Sequence, residues 1–307
     1  GSSIKPIMVY APAFENGLLS PASVLIDERK SFDGYSPRNF NDKYYGSITV
    51  REALIKSLNV PAVETLDMVG IENAKKYAKN LGISFDKQDK NLALALGGFT
   101  YGISPLELAG AYQALGNNGM QLDTSCIIRI CDDNGKEIYE PPKNAHQAIS
   151  RATAFMLSDI LEDAAEYGST AINLNLSIPV SVKTGTVGYT GADGYSDSWT
   201  AAYNSDYTIV VWLGYDKTTP EHYLKNGITG GTYPAKIAGK LFNYLYSSQQ
   251  APEFIPPETV VSLEIDTLTL KNDGVITCAT KDTPEIYRMT DYFNIKYAPS
   301  QTSQYWT

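Results

Sequence analysis

Histidine and cysteine are scarce in this chain: His146 and His222 for the first, Cys126, Cys131 and Cys278 for the second. None of their spacings fits a metal-ligand pattern, which argues against a zinc site. The same scarcity argues against a Ser-His-Asp triad, so a nucleophile here has to draw on lysine for its base. Positive charge is also short. The net charge is −9 and no basic block stands out, which disfavours nucleic acid and anionic membranes as partners. No apolar run reaches membrane-span length, and these residues show no signal peptide. No cofactor is expected. What remains is ordinary globular material, 307 residues with 43% hydrophobic and 19% charged. That is enough for one large domain or two smaller ones.

The most informative stretch is Ser181-Val182-Lys183-Thr184-Gly185-Thr186. Val180 and Val182 are β-branched and Pro179 marks where a strand can begin, so the stretch reads as a strand. Gly185 removes a side chain where a substrate backbone would come close. A strand edge that offers the Lys183 cation, the hydroxyls of Thr184 and Thr186, and a bare peptide suits an anionic peptide terminus. The plainer reading of the same residues is a core strand with a solvated lysine.

Two further stretches change that balance. Ser2 and Lys5 stand i, i+3 ahead of an apolar run from Ile7 to Phe14, so a helical turn places them on one face. A serine at a helix N-terminus also has free backbone N–H groups nearby to hold an oxyanion. The pattern is weak alone, because Ser84 and Lys87 repeat it in a polar turn. The second stretch is Ser57-Leu58-Asn59, followed by Val60-Pro61. Proline disfavours helix at Val60, which places Ser57 and Asn59 at a break between helices. Two short polar side chains at a break can point into a cleft; a helix end capped by asparagine is the plainer alternative.

Around these points the chain predicts an α/β (α+β) fold: a mainly antiparallel sheet covered by helices, plus a largely helical region over 48–116. Thr49 with Glu52, and Ser104 with Glu107, are capping-box patterns that open helices. Residues 16–46 read as loop, with Gly34-Tyr35-Ser36-Pro37-Arg38-Asn39-Phe40 standing out. Asp132-Asp133-Asn134-Gly135 and Asn204-Ser205-Asp206 each sit between strand candidates and predict hairpins. Ser150–Glu166 and Pro234–Tyr246 read as helices. The domain expected over 1–248 is followed by a 249–307 extension with little regular structure beyond a strand candidate at Val260–Ile265.

The order S-x-x-K, S-x-N, K-T-G, here Ser2/Lys5, Ser57/Asn59 and Lys183/Thr184/Gly185, resembles the penicillin-binding transpeptidases and their serine β-lactamase relatives. The stretches 34–40, 50–63, 102–109, 183–186 and 197–199 are similar to the bifunctional, class A branch of that family. The resemblance implies a D,D-transpeptidase that cross-links peptidoglycan stem peptides ending in D-Ala-D-Ala, with β-lactams as covalent inhibitors. D,D-carboxypeptidase activity belongs to the same expectation. It implies an extracytoplasmic, cell-envelope location, with other cell-wall synthesis proteins as partners. The upstream part of the transpeptidase domain and the membrane anchor are expected outside this stretch.

The implied roles follow the residue types. Ser2 attacks, with Lys5 as base once burial and the nearby Lys183 lower its pKa. Ser57 relays the proton to the departing amine and Asn59 holds a substrate amide. The N–H groups of Ser2 and Thr186 form the oxyanion hole, and Thr184 and Thr186, flanking Gly185, grip the substrate carboxylate. Two alternatives stay open: a serine β-lactamase, and a β-lactam sensor that is acylated without turning over. The first needs a base for water, and Asn173-Leu174-Asn175 lacks the glutamate of the E-x-x-L-N pattern that one lactamase class uses.

Overall fold

The computed structural model describes residues 1–166 and 170–306. Its centre is a four-stranded antiparallel sheet in which Gly194–Tyr203 is the inner strand. Ser181–Gly188 pairs with it on one side, setting Lys183 opposite Ala201 and Thr184 opposite Thr200. Thr208–Gly214 and the short Leu224–Lys225 pair with it on the other. The Lys183 strand is therefore an edge strand.

Alternate residues of a strand face opposite sides, and here each side has its own core. Val182 and Ala202 pack with Ala238 and Phe242 of the helix Tyr233–Leu245. Trp199, Ala201 and Tyr203 turn the other way, into the large core that holds Ile4, Tyr112 and Leu157. Phe242 is fully buried, a contribution of roughly 2–3 kcal/mol from its apolar area.

The helical region follows local signals closely. Both capping boxes form. Thr49 accepts from the Glu52 N–H and the Glu52 carboxylate returns the bond to Thr49; Ser104 and Glu107 do the same. They open Val50–Ile55 and Pro105–Gly116. The next helix begins at Asn59 rather than after the proline. Pro61 lies in its first turn, where its missing N–H would have had no intrahelical partner in any case.

Two expectations are corrected. Within the stretch read as loop, Val24–Asp27 is a strand, paired with Gly46–Thr49 in register Asp27 to Gly46. Four residues that end in an aspartate carry too little alternation to announce a strand, and the pairing crosses a long loop. The region after 248 is also more regular than expected. Val260–Asp266 pairs along its length with Arg288–Asn294, and a helix, Thr267–Asp273, leaves the first strand directly. Ile265, Leu270 and Phe293 make a small core with Ala22. Its two strands are too far apart in sequence for turn chemistry to reveal the pair.

This C-terminal unit is tied to the rest through Arg51. The guanidinium pairs with Asp291 of the second tail strand, and with Asp159 and Asp163 of the helix Arg151–Glu166, the last two at 2.6 Å. Asp291 is 1% exposed at its side chain, so the arginine is the cation that faces a buried carboxylate. Replacing Arg51 by methionine is expected to cost about 3–5 kcal/mol, the range for stranding one partner of a buried pair. Urea unfolding measures it. A loss below about 1 kcal/mol would place the cluster with ordinary surface ion pairs.

Candidate active site

Ser2 enters the site on a single 3-10 turn, Ser2–Ile4, held from two sides. Tyr112, buried in the helix Pro105–Gly116, donates its hydroxyl to the Ser3 carbonyl at 2.6 Å. On the sheet side, a Cβ at Gly185 would stand 2.9 Å from the Ser3 nitrogen and 3.2 Å from its Cβ. Only a bare peptide lets the turn lie that close to the strand. The protein's own Ser2–Ile4 turn thus uses the space that the sequence reading reserved for a substrate backbone. Tyr112 was missed in sequence because a helical tyrosine reads as core.

Lys5 follows on the same segment and is fully buried. Its Nζ donates to the Ser57 carbonyl at 2.6 Å, the Leu58 carbonyl at 2.9 Å and Asn59 Oδ1 at 2.7 Å. A fourth contact, to Ser57 Oγ, is long at 3.5 Å. An ammonium has three protons, and the three shorter acceptors take all of them. This explains a departure from expectation: among the described residues no hydrogen bond joins the Ser2 hydroxyl to Lys5 or Ser57. Burial, and then the Lys183 charge, pull the Lys5 pKa well below its ordinary 10.5.

Ser57 owes its position to a helix end. The Ser57 N–H bonds to the Leu54 carbonyl and the Leu58 N–H to the Ala53 carbonyl, the pattern of a Schellman motif. Ser57 stands in the left-handed slot of that motif, with φ of 56°, where glycine is the usual occupant. Such backbones concentrate at functional sites. The sequence placed a break here; it could not show that serine fills glycine's position.

Lys183, 1% exposed, reaches the same hydroxyl from the sheet. Its Nζ donates to Ser57 Oγ at 2.7 Å and to the Thr184 carbonyl at 2.8 Å. Burial lowers its pKa to about 7. Ser57 Oγ accepts from Lys183, so its own O–H remains a donor. Asn59 is less free than expected: Oδ1 is taken by Lys5, and Nδ2 donates to the Arg38 carbonyl at 2.6 Å. One amide N–H is left for a ligand. Thr186 Oγ1 accepts from the Gly230 N–H at 3.1 Å, and the Thr200 hydroxyl donates to the Gly230 carbonyl at 2.6 Å. These bonds fasten the loop around Gly230 to two neighbouring strands of the sheet.

Ser2, Ser57, Asn59, Thr184, Gly185 and Thr186 line one cleft of about 330 Å³. Lys5 and Lys183 lie buried behind its wall. The rival pair does not assemble a site: Ser84 and Lys87 are both exposed. Asn39 and Phe40 also line the cleft. They come from the 34–40 stretch singled out in sequence, although neither was assigned a role there. The arrangement supplies a serine, two amines of lowered pKa, a second hydroxyl held by one of them and an edge strand, which together suit acyl transfer.

The model of the penicillin binding protein transpeptidase domain matches residues 1–247. The chain is 36% identical over 265 residues to penicillin-binding protein 1F of Bacillus subtilis, covering 86% of this chain and 36% of that one. It is 31% identical over 318 residues to penicillin-binding protein 1A/1B of the same organism, covering 99% of this chain and 34% of that one. It therefore spans about a third of the length of these relatives. Among solved structures, penicillin-binding protein 1A of Haemophilus influenzae superposes with a TM-score of 0.80 at 24% identity, over 99% of this chain and 48% of that one. PonA1 of Mycobacterium tuberculosis in complex with penicillin V superposes with a TM-score of 0.71 at 21% identity, over 84% and 72%. These likenesses establish the mixed helix and antiparallel-sheet fold.

Gly185→Ala tests the packing of the Ser2–Ile4 turn. The added methyl meets backbone, so the turn has to shift, at a cost of about 1–3 kcal/mol. Thermal unfolding measures it, and an unchanged melting temperature would contradict the close approach.

Proposed function

The chain belongs to the penicillin-binding protein transpeptidase family, and from that premise we propose that it carries the acyl-transfer centre of a peptidoglycan D,D-transpeptidase. The observation that carries this reading is the meeting of two buried lysines on Ser57, at the wall of the cleft that holds Ser2. A serine is a weak nucleophile without a base, and burial is what makes a lysine one near neutral pH.

In the proposed reaction the Ser2 oxygen attacks the carbonyl between the two terminal D-alanines. Its proton passes to Lys5 in its neutral form, which has two N–H donors for the three acceptors and so a lone pair free to take it. The N–H groups of Ser2 and Thr186 take the oxyanion. The peptide C–N bond then breaks, Ser57 delivers a proton to the departing D-alanine amine and takes the proton held by Lys5 in its place, and an ester remains on Ser2. The Lys183 amine holds the Ser57 oxygen in line for that delivery. Thr184 and Thr186 hold the terminal carboxylate. Asn59 donates its remaining N–H to the donor peptide. An amine of a second stem peptide attacks the ester and regenerates Ser2; water in its place gives D,D-carboxypeptidase activity. Stem peptides and β-lactams are the proposed ligands, and the cell envelope is the proposed location. Among the described residues no helix is long and apolar enough to cross a membrane.

A β-lactam presents the same carbonyl, but its opened ring stays attached. The described residues that line the cleft include no aspartate or glutamate to serve water as a base. Penicillin is therefore expected to add its full mass to Ser2 and to remain for many minutes. Intact mass spectrometry with peptide mapping checks this. Ser2→Ala is expected to abolish the adduct, and Lys5→Ala to slow it at least about a hundredfold. Label on another serine, or rapid multiple turnover of a chromogenic β-lactam, would contradict the proposal.

The pKa shifts set the pH dependence. A base works in its neutral form, so acylation gains rate as pH rises through the folded-state pKa. For lysines lowered well below 10.5, and to about 7 at Lys183, the rate of penicillin acylation is expected to rise through neutral pH and level off well before 10. A profile still climbing at pH 10 would show that neither lysine is buried enough to serve.

A further inference from the structure

We propose that Asn39 is a positioning residue for the acylation machinery, tying Asn59, and through it the Lys5 amine, to the buried Asp27 of the Val24–Asp27 strand. The inference rests on the acyl-transfer reading above and adds to it a residue with no assigned role.

The bonds run in one unbroken line. Asn39 is 4% exposed and Asp27 fully buried. Asn39 Nδ2 donates to both carboxylate oxygens of Asp27 at 2.9 Å, and to the Lys43 carbonyl at 2.8 Å. Asp27 also accepts the Tyr45 N–H at 3.0 Å. At its other end, Asn39 Oδ1 accepts the Asn59 N–H at 2.8 Å. Asn59 Oδ1 then receives Lys5.

Each bond answers a need of the local structure. Asn59 opens its helix, and the first N–H groups of a helix have no intrahelical partner. The preceding residue, Leu58, has no side chain to cap with. Asn39 caps the helix from another part of the chain, so the cap also fixes where the helix starts. Its neighbour Arg38 takes the Asn59 side-chain amide. Two consecutive residues thus hold Asn59 by its backbone and by its side chain, leaving Oδ1 turned to Lys5. Asparagine suits position 39 because it donates one way and accepts the other. Aspartate there could still accept from Asn59 but would set a second carboxylate against Asp27. A buried carboxylate held only for stability would be replaceable by apolar packing. Its alignment with the base is the reason we assign it to function.

The test compares second-order rates of acylation by a fluorescent penicillin for four proteins: wild type, Asn39→Ala, Asn39→Asp, and Asn39→Asp with Asp27→Asn. Circular dichroism checks folding. Both single variants are expected to acylate at least about tenfold more slowly, since small misplacements of a catalytic group cost on that order. The double variant restores a donor and an acceptor between the two positions but not the bond to the Lys43 carbonyl, and is expected to acylate at least about threefold faster than Asn39→Asp. In Asn39→Ala the rising limb of the pH–rate profile is expected to move to lower pH, because a loosened Asn59 gives up an acceptor that favours the Lys5 ammonium. Among the charged side chains around Lys5, Lys183 acts in the same direction, while Asp27 stands behind Asn39 and Asn59. A purely structural loss would lower the plateau and leave the limb in place. Should Asn39→Ala fail to fold, the exchange pair carries the test alone. Single variants with wild-type rates, or a double variant no faster than Asn39→Asp, would overturn the role of Asn39. A wild-type protein that takes no label at Ser2 would instead overturn the acyl-transfer reading beneath it.

Discussion

Two lysine amines buried behind one cleft wall, both within reach of the Ser57 hydroxyl, are the constraint that the rest of this structure serves. Burying a cation is expensive unless it loses its proton or is fully hydrogen-bonded. This fold does some of both. Lys5 has carbonyl and amide acceptors for each proton, and no carboxylate is among them. Lys183 has a hydroxyl and a carbonyl. Acceptors of this kind hold the ammonium in place without fixing its charge as a carboxylate would. The amines stay close enough to neutrality to exchange protons, which a salt bridge would prevent.

Holding that pair demands close approaches that ordinary side chains forbid. The Ser2–Ile4 turn lies on bare Gly185 under the Tyr112 hydroxyl. Gly230 comes closer still: a Cβ there would stand 2.2 Å from the Trp199 carbonyl oxygen and 2.6 Å from that of Gly185. Ser57 accepts a left-handed backbone that glycine would occupy at less strain, an expense of about 1–2 kcal/mol that places its hydroxyl between the amines. Local stability is given up at Ser57 and recovered in the cores on the two faces of the sheet.

Much of this was legible in the residues. The capping boxes, the Asn204-Ser205-Asp206 turn and the alternation from Trp199 to Leu213 mark helices and strands through short-range chemistry that needs no tertiary context. The site was legible because its three short motifs combine residue types that ordinary cores rarely bring together. What stayed hidden depends on pairing across distance. Val24–Asp27 becomes a strand only because Gly46–Thr49 returns to it. The tail acquires its order from Arg288–Asn294 meeting Val260–Asp266, and from Arg51 reaching Asp291. The full engagement of Asn59 was hidden for the same reason, since its partners Arg38, Asn39 and Lys5 come from two separate segments.

The charge state of the two lysines is the quantity on which the account turns. Carbon-detected NMR of lysine labelled at Cε, with Lys5→Met and Lys183→Met variants for assignment, follows each amine as pH is raised from 5 to 11. Both resonances are expected to titrate well below 10.5, Lys183 at about 7. If both resonances titrate together with the surface lysines near 10.5, the cleft holds no neutral amine at physiological pH, and the proposed base would be ruled out.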